Sequence, residues 1–330
     1  MLRKFTESDV NSDFFSGKRI AILGYGSQGR SQARNLRDSG LPVIVGNRPG
    51  KSYESAIFDG FSAMSVSEAV SRSDILGIFF PDESAAEIYA KDVAPYLRAG
   101  QCLVFAHGFN IHYKFIIPPG NVDVVLVAPK GVGPMVRKLY EEGSGVPSLI
   151  SVHQDATGHA LDIALGFASG IGSNRSAILE SSFKDETETD LFGEQAVICG
   201  GLPSLITAAY QTLVNAGYPP ELAFSECAHE VKLVVDLIYQ GGFSKMHDFV
   251  SKTAGYGGIT RGDRVVGDES KRVMKDILDE IQSGEFANEW MAEKRAGSKH
   301  YAGLVEQVKE SEIEKTGAEF RKLLGNTDRS

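Results

Sequence analysis

An apolar run of strand length, IAIL at 20–23, ends directly in GYGSQG at 24–29, and the following SQARNLRDSG has helical character and closes on Gly40. This order of strand, tight turn and helix is what a dinucleotide-binding sheet needs at its first crossover. Gly24, Gly26 and Gly29 fit a GxGxxG spacing, in which the first two glycines allow the turn and a close backbone approach to a pyrophosphate, and the third lets helix pack on strand. Exposed N–H groups at the helix start favour an anion. Gly24, Tyr25, Gly26, Ser27, Gln28 and Gly29 are therefore the expected cofactor contacts. The spacing alone occurs by chance, but here the required strand precedes it and a second strand, PVIVG at 42–46, follows.

The end of that second strand bears on which cofactor binds. An acid there would hold the adenosine ribose hydroxyls and favour NAD. Instead the loop reads NRPGKSY at 47–53, placing Arg48, Lys51 and Ser52 where a ribose 2′-phosphate needs positive charge and hydroxyl donors. NADPH is expected over NADH, with a merely solvated basic loop as the alternative.

Alternation continues through ILGIFFP at 75–81, a helical stretch over 83–97, CLVFAHG at 102–108, VDVVLVAPKG at 122–131 and PSLISVH at 147–153. Such repetition predicts an α/β, Rossmann-like domain with a mostly parallel sheet over 1–182. Ligands of such sheets sit beyond the carboxyl ends of the strands, where His107, Lys130 and Asp82, Glu83 and Ser84 fall. From about 185 the pattern changes to long apolar helices and a glycine-rich join, which predicts an all-helical domain over 183–330. The charged stretch 305–324 reads as a solvated helix face.

In the helical half, Asp190 with Glu194 and Glu226 with Glu230 form carboxylate pairs four residues apart, on one helix face. The second pair lies in LAFSECAHEVKLVVDLIY at 222–239, whose apolar residues fall on nearly every side and predict a buried helix. Unpaired acids there would be costly, so a bound cation is the economical explanation. Oxygen-only ligands suit Mg²⁺ or Mn²⁺ over zinc, and a carboxylate bridging two ions fits a site that polarises a carbonyl and stabilises developing alkoxide charge.

A net charge of −9 and a pI near 5.4 argue against nucleic-acid or anionic-membrane partners, which need clustered Lys and Arg. The 3 cysteines, Cys102, Cys199 and Cys227, lie scattered in apolar runs and read as core residues. Disorder is expected only at the ends. The absence of an export-type N-terminal stretch and of a window of about 18 apolar residues predicts a cytoplasmic protein.

GYGSQG, FAHGFNIH at 105–112, VAPKG at 127–131, VHQDATG at 152–158, ETDLFGEQ at 188–195 and ECAHEVKLVVDLIY at 226–239 together resemble the short, class I form of ketol-acid reductoisomerase. The resemblance runs from Phe5 to Leu324. It implies a Mg²⁺-dependent alkyl migration in 2-acetolactate or 2-aceto-2-hydroxybutyrate, then hydride transfer from NADPH to give a 2,3-dihydroxy acid of branched-chain amino-acid biosynthesis. It further implies that Asp190, Glu194, Glu226 and Glu230 hold two Mg²⁺, with Asp190 bridging. Ser251 would bind the substrate carboxylate, His107 and Lys130 would stand near nicotinamide and substrate, and Glu230 would take part in proton transfer. Gly133 joins the implied cofactor set. A knotted helical domain is implied, as is a homodimer that places Glu226, Glu230 and Ser251 across the interface from Asp190 and Glu194, with larger assemblies left open.

The chain departs from the family pattern at Arg30 and Gln32, where histidines are usual, at GVGP (131–134) in place of GPGH, at Gln240, and throughout KMHDFVSKTAGYGG at 245–258, where Asp248, Phe249 and Gly255 stand out. The altered segment borders the implied substrate end. The alternative is a related enzyme of specialised metabolism acting on another 2-hydroxy-3-oxo acid, a 2-oxo acid or an imine. A non-enzymatic cofactor-binding descendant is a third reading, disfavoured by the retention of all four acids with Lys130 and Ser251.

Overall fold

Strands that read as unbroken apolar runs must be covered on both faces, and this is how the first half of the chain is built. The computed structural model describes residues 2–11, 15 and 17–325; the two extreme ends, where disorder was expected, lie outside the described residues. Two compact units divide at Thr189 and Asp190.

The first unit holds a sheet of β1 (Lys4–Phe5), β2 (Ile20–Leu23), β3 (Val43–Gly46), β4 (Ala63–Met64), β5 (Ile75–Ile78), β6 (Cys102–Phe105), β7 (Asp123–Pro129), β8 (Ser148–Gln154) and β9 (Ile178–Glu180). Their order is β1-β9-β8-β7-β6-β5-β2-β3-β4. From β4 to β7 all neighbours are parallel, whereas β8 runs antiparallel to β7 and β1 antiparallel to β9. The mostly parallel, Rossmann-like sheet matches expectation. The short strands β1, β4 and β9 were not anticipated, being too brief to show a two-residue period.

Alternate residues of each strand face opposite sides. Ile20, Ile22, Cys102, Val104, Val125 and Val127 belong to one core, packed with Leu36 and Phe167, from α1 (Ser27–Asp38) and the helix Ala160–Gly170. Ala21, Leu23, Leu103, Phe105, Val124 and Leu126 belong to the other. After β2 the chain moves outward to β3 and β4, then returns to place β5 on the other side of β2. The carboxyl ends of β2 and β5 thus form the switch point at which such sheets bind ligands.

The second unit is helical. Its elements include the helices Gly201–Asn215, Glu230–Phe249, Lys252–Val265, Asp268–Ser283 and Glu312–Leu323. Several expectations are corrected here. The glycine-rich join is the helix Lys252–Val265, because its glycines lie on a segment whose start is fixed by a Ser251 cap. The helix through 222–239 is not buried within the single chain: none of the residues of Glu230–Phe249 is, and Leu233 and Tyr239 are exposed. Cys199 is exposed, at a turn ahead of the helix Gly201–Asn215, while Cys102 is buried. The stretch 305–324 is more than a solvated face, since Gly317 is buried so closely on Phe224 that a Cβ would lie 2.6 Å from its ring. One stretch, Phe183–Asn215, also contains an 18-residue window of mean hydropathy 1.4, contrary to the expectation that no such window exists. It has the length and composition of a membrane span, but its helix is interrupted by turn geometry at Cys199 and Gly200.

Candidate functional site

The glycine turn is dictated by close packing at the switch point. Gly24 has φ +98°, and a Cβ on it would lie 2.7 Å from the Phe79 carbonyl oxygen. At Gly29 a Cβ would come within 2.1 Å of the Gly24 carbonyl, so only glycine lets α1 rise so tightly from β2. At Gly26, by contrast, a Cβ would meet nothing, because the space there is the mouth of a cleft.

That cleft has two parts that share Gly26, Phe79, Phe80 and Pro81. One, of about 500 Å³, is lined by Gly24, Tyr25, Arg48, Lys51 and Ser52. The other, of about 290 Å³, is lined by Ser27, Gln28, Asp82, His107 and Asn110. Of the anticipated cofactor residues, Gly24, Tyr25, Gly26, Ser27, Gln28, Arg48, Lys51, Ser52 and Asp82 line this crevice, whose outer part is basic. Glu83 and Ser84 lie on the first turn of the helix Asp82–Ile88 and line neither part. Gly133 sits where a Cβ would fall 2.3 Å from the Ser27 carbonyl oxygen, and the Gln28 side-chain amide donates to the Gly131 carbonyl at 2.8 Å. The loop after β7 is thereby fastened onto the glycine turn. Burial pushes the Asp82 carboxyl up from its ordinary pKa.

His107, at the end of β6, and Lys130, at the end of β7, are brought together by a residue that sequence reasoning missed. Glu186, on the helix Phe183–Gly193, is buried with 1% of its side chain exposed. Its carboxylate accepts from Lys130 Nζ at 2.8 Å, from the Gly108 N–H at 2.9 Å and from His107 Nδ1 at 3.1 Å. Since a carboxylate only accepts, His107 Nδ1 carries the proton shared with Glu186. Burial alone would raise the Glu186 pKa, but the His107 hydrogen bond and charge together with the Lys130 ammonium hold it at about 2. A signal was present in the sequence: Glu186, Asp190 and Glu194 continue one acidic stripe at four-residue spacing.

The carboxylate pairs share an uncommon local geometry. The helix carrying Asp190 passes into a π-turn at Glu194–Ile198, and a second π-turn, Ser225–His229, contains Glu226 and leads into Glu230. Such turns are frequent at functional sites. Glu194, Glu226 and Glu230 are exposed within the single chain, and among the described residues no cluster of three ligating side chains includes any of them. Ser251 caps the helix Lys252–Val265, its hydroxyl accepting from the Ala254 N–H at 3.1 Å.

The family model for the acetohydroxy acid isomeroreductase NADPH-binding domain matches residues 14–177, and that for the ketol-acid reductoisomerase C-terminal domain matches residues 183–325. The chain belongs to the ketol-acid reductoisomerase family. It is an enzyme of that class, an NADP-dependent oxidoreductase with isomerase activity. It is 53% identical over 326 residues to a ketol-acid reductoisomerase (NADP(+)) of Methanocaldococcus jannaschii, covering 98% of this chain and 99% of the relative. A solved ketol-acid reductoisomerase described as NADH-preferring, from an uncultured archean, superposes with a TM-score of 0.95 at 43% identity, covering 98% of this chain and 99% of that one. A semialdehyde dehydrogenase NAD-binding protein from Cupriavidus necator, 19% identical with a TM-score of 0.61 over 81% of this chain and 99% of that one, shares the fold.

The depressed pKa of Glu186 sets a testable pH dependence in this protein. A carboxyl held at about 2 against an ordinary 4.5 contributes stability that is fully present above pH 4.5 and is lost as pH falls toward 2. Glu186→Gln is expected to lower unfolding stability at pH 7 by about 3 kcal/mol. The gap from wild type should narrow through that acid window, as read by denaturant titration at several pH values.

Proposed function

We propose that the protein converts 2-acetolactate or 2-aceto-2-hydroxybutyrate to the corresponding 2,3-dihydroxy-3-alkyl acid, using NADPH and two Mg²⁺, in branched-chain amino-acid biosynthesis. The observation that carries this reading is the match to both reductoisomerase domains along the chain, together with a cleft whose outer part is basic. When bound, NADPH would supply the hydride, and the metals would polarise the ketone and stabilise alkoxide charge.

The chain's own residues take up distinct tasks on this reading. Gly24 to Gly29 present backbone N–H groups to the pyrophosphate, with Gly133 and the segment Asp82, Glu83 and Ser84 completing the cofactor set. Arg48, Lys51 and Ser52 take the 2′-phosphate. Glu186 holds Lys130 and the cleft-lining His107 in fixed orientation, so that they act without reorganisation. Asp190, Glu194, Glu226 and Glu230 supply oxygen ligands, which suit Mg²⁺, and Glu230 also handles the proton of the C2 hydroxyl. Ser251, at a helix start, receives the substrate carboxylate, a placement favoured by the helix dipole.

A homodimer with the site at its interface is part of the same reading. Its support is the exposure of large apolar side chains in the helical unit, among them Ile198 at 63%, Phe243 at 70% and Tyr239 at 91%, a density that monomers rarely leave uncovered. The family's knotted helical path and a cytoplasmic setting belong to the proposal too, without a nucleic-acid or membrane partner. A second reading, turnover of a different 2-hydroxy-3-oxo acid, is favoured by the altered 245–258 segment, where Phe249 is 70% exposed two residues before Ser251.

Two measurements check the proposal. NADPH oxidation is expected with 2-acetolactate and with the already rearranged 3-hydroxy-3-methyl-2-oxobutyrate, both abolished by a chelator; turnover of the rearranged acid alone would mean reduction without isomerisation. Arg48→Asp should raise the KM for NADPH by about 10-fold or more while changing that for NADH little. Equal effects on both cofactors would remove the 2′-phosphate assignment.

A further inference from the structure

Asp59 stands at an electrostatically wrong place. It is the C-terminal cap of the helix Lys51–Phe58, where the dipole disfavours a negative charge. It is nonetheless only 9% exposed, and three donors converge on it. Arg30 grips both carboxylate oxygens, Nε to Oδ2 at 2.7 Å and an Nη to Oδ1 at 3.0 Å, and the Tyr25 hydroxyl donates to Oδ2 at 2.8 Å. Arg37 donates to the Asp59 carbonyl at 2.6 Å and lies over the Phe61 ring, which packs edge-on against Tyr25. An acid placed against the helix dipole and then held by this many donors breaks a local rule in a way that serves geometry.

That geometry spans the outer part of the cleft. Tyr25 belongs to the glycine turn that forms one wall, and Asp59 closes the helix whose first residues, Lys51 and Ser52, form the facing wall. We propose that Arg30 is a positioning residue for cofactor binding: through Asp59 and Tyr25 it latches the helix Lys51–Phe58 to the glycine turn and so sets the separation of the walls that receive the adenosine end of NADPH. The inference rests on the proposed NADPH reading. A bidentate arginine suits the task because its planar fork fixes both distance and orientation, which a lysine ammonium cannot do. Arg30 draws Asp59 down from the ordinary carboxylate pKa, with Tyr25 adding to the effect, so the latch stays ionised throughout the neutral range.

The test is direct titration of the full-length protein with NADPH and with NADH, followed by nucleotide fluorescence at a temperature where every variant is folded, alongside Tm. Arg30→Ala is expected to weaken NADPH binding by about 10-fold, with a smaller loss for NADH, which lacks the phosphate met by the start of the helix. Arg30→Lys should recover only part of the loss. Combining Arg30→Ala with Asp59→Asn should add nothing to the worse single change, because both break one latch. Should Arg30→Ala fail to fold, Asp59→Asn carries the test, since Asp59 lines neither part of the cleft, with a loss of NADPH affinity expected. A lower Tm with unchanged NADPH affinity in these variants would reduce the contact to a structural ion pair and overturn the proposal. Wild-type protein that binds no NADPH would overturn the cofactor reading and the latch together.

Discussion

The constraint that governs the second half of this protein is that its apolar residues outnumber the interior it can build alone. Within one chain the helix Glu230–Phe249 buries none of its residues, although its sequence is apolar on most sides. Fully buried anchors of the unit are few, chiefly Tyr210, Ala223, Ile281 and Ala287. Apolar surface of this kind is stabilised by removal from water at about 25 cal/mol per Å², and a second copy is the partner the proposed function supplies. The carboxylates Glu226 and Glu230 lie on this same exposed stretch, so covering the apolar surface and completing a metal site would be one event.

The first half is self-sufficient by comparison, because strands with two apolar faces are covered by helices of the same unit. What gives it chemical character is the buried carboxylate of Glu186. It satisfies a main-chain N–H, an imidazole and an ammonium at once, and in doing so fixes two strand-end side chains that would otherwise sample many rotamers. The glycine turn is fixed in a comparable way, since its close contacts with Phe79 and with its own backbone admit no side chain at Gly24 or Gly29.

The sequence made the sheet and the turn legible because hydrophobic runs and glycine spacing are local signals, and β2, β5, β6 and β7 fall where those runs lie. Residues whose meaning depends on distant partners were not legible. Glu186 looked like one more acid on a charged helix start, and only the approach of Gly108, His107 and Lys130 from segments far back in the chain gives it a role. The segment Lys252–Val265 reads as a join in the sequence because its four glycines lower helix propensity, yet capping and context outweigh that penalty. Burial of the helix through 222–239 was inferred from apolarity, which reports that a surface needs covering and says nothing about whether its own chain covers it.

The proposed sharing of the metal-binding acids between two copies is tested most directly by complementation. Asp190→Asn and Glu226→Gln chains, each inactive alone, would be co-expressed and assayed together as mixed dimers. If the site is shared, one site of every heterodimer carries both substitutions and the other carries neither, so roughly a quarter of wild-type activity is predicted for one-to-one mixing. No recovered activity in verified heterodimers would contradict the account and place all four acids in one chain's own site.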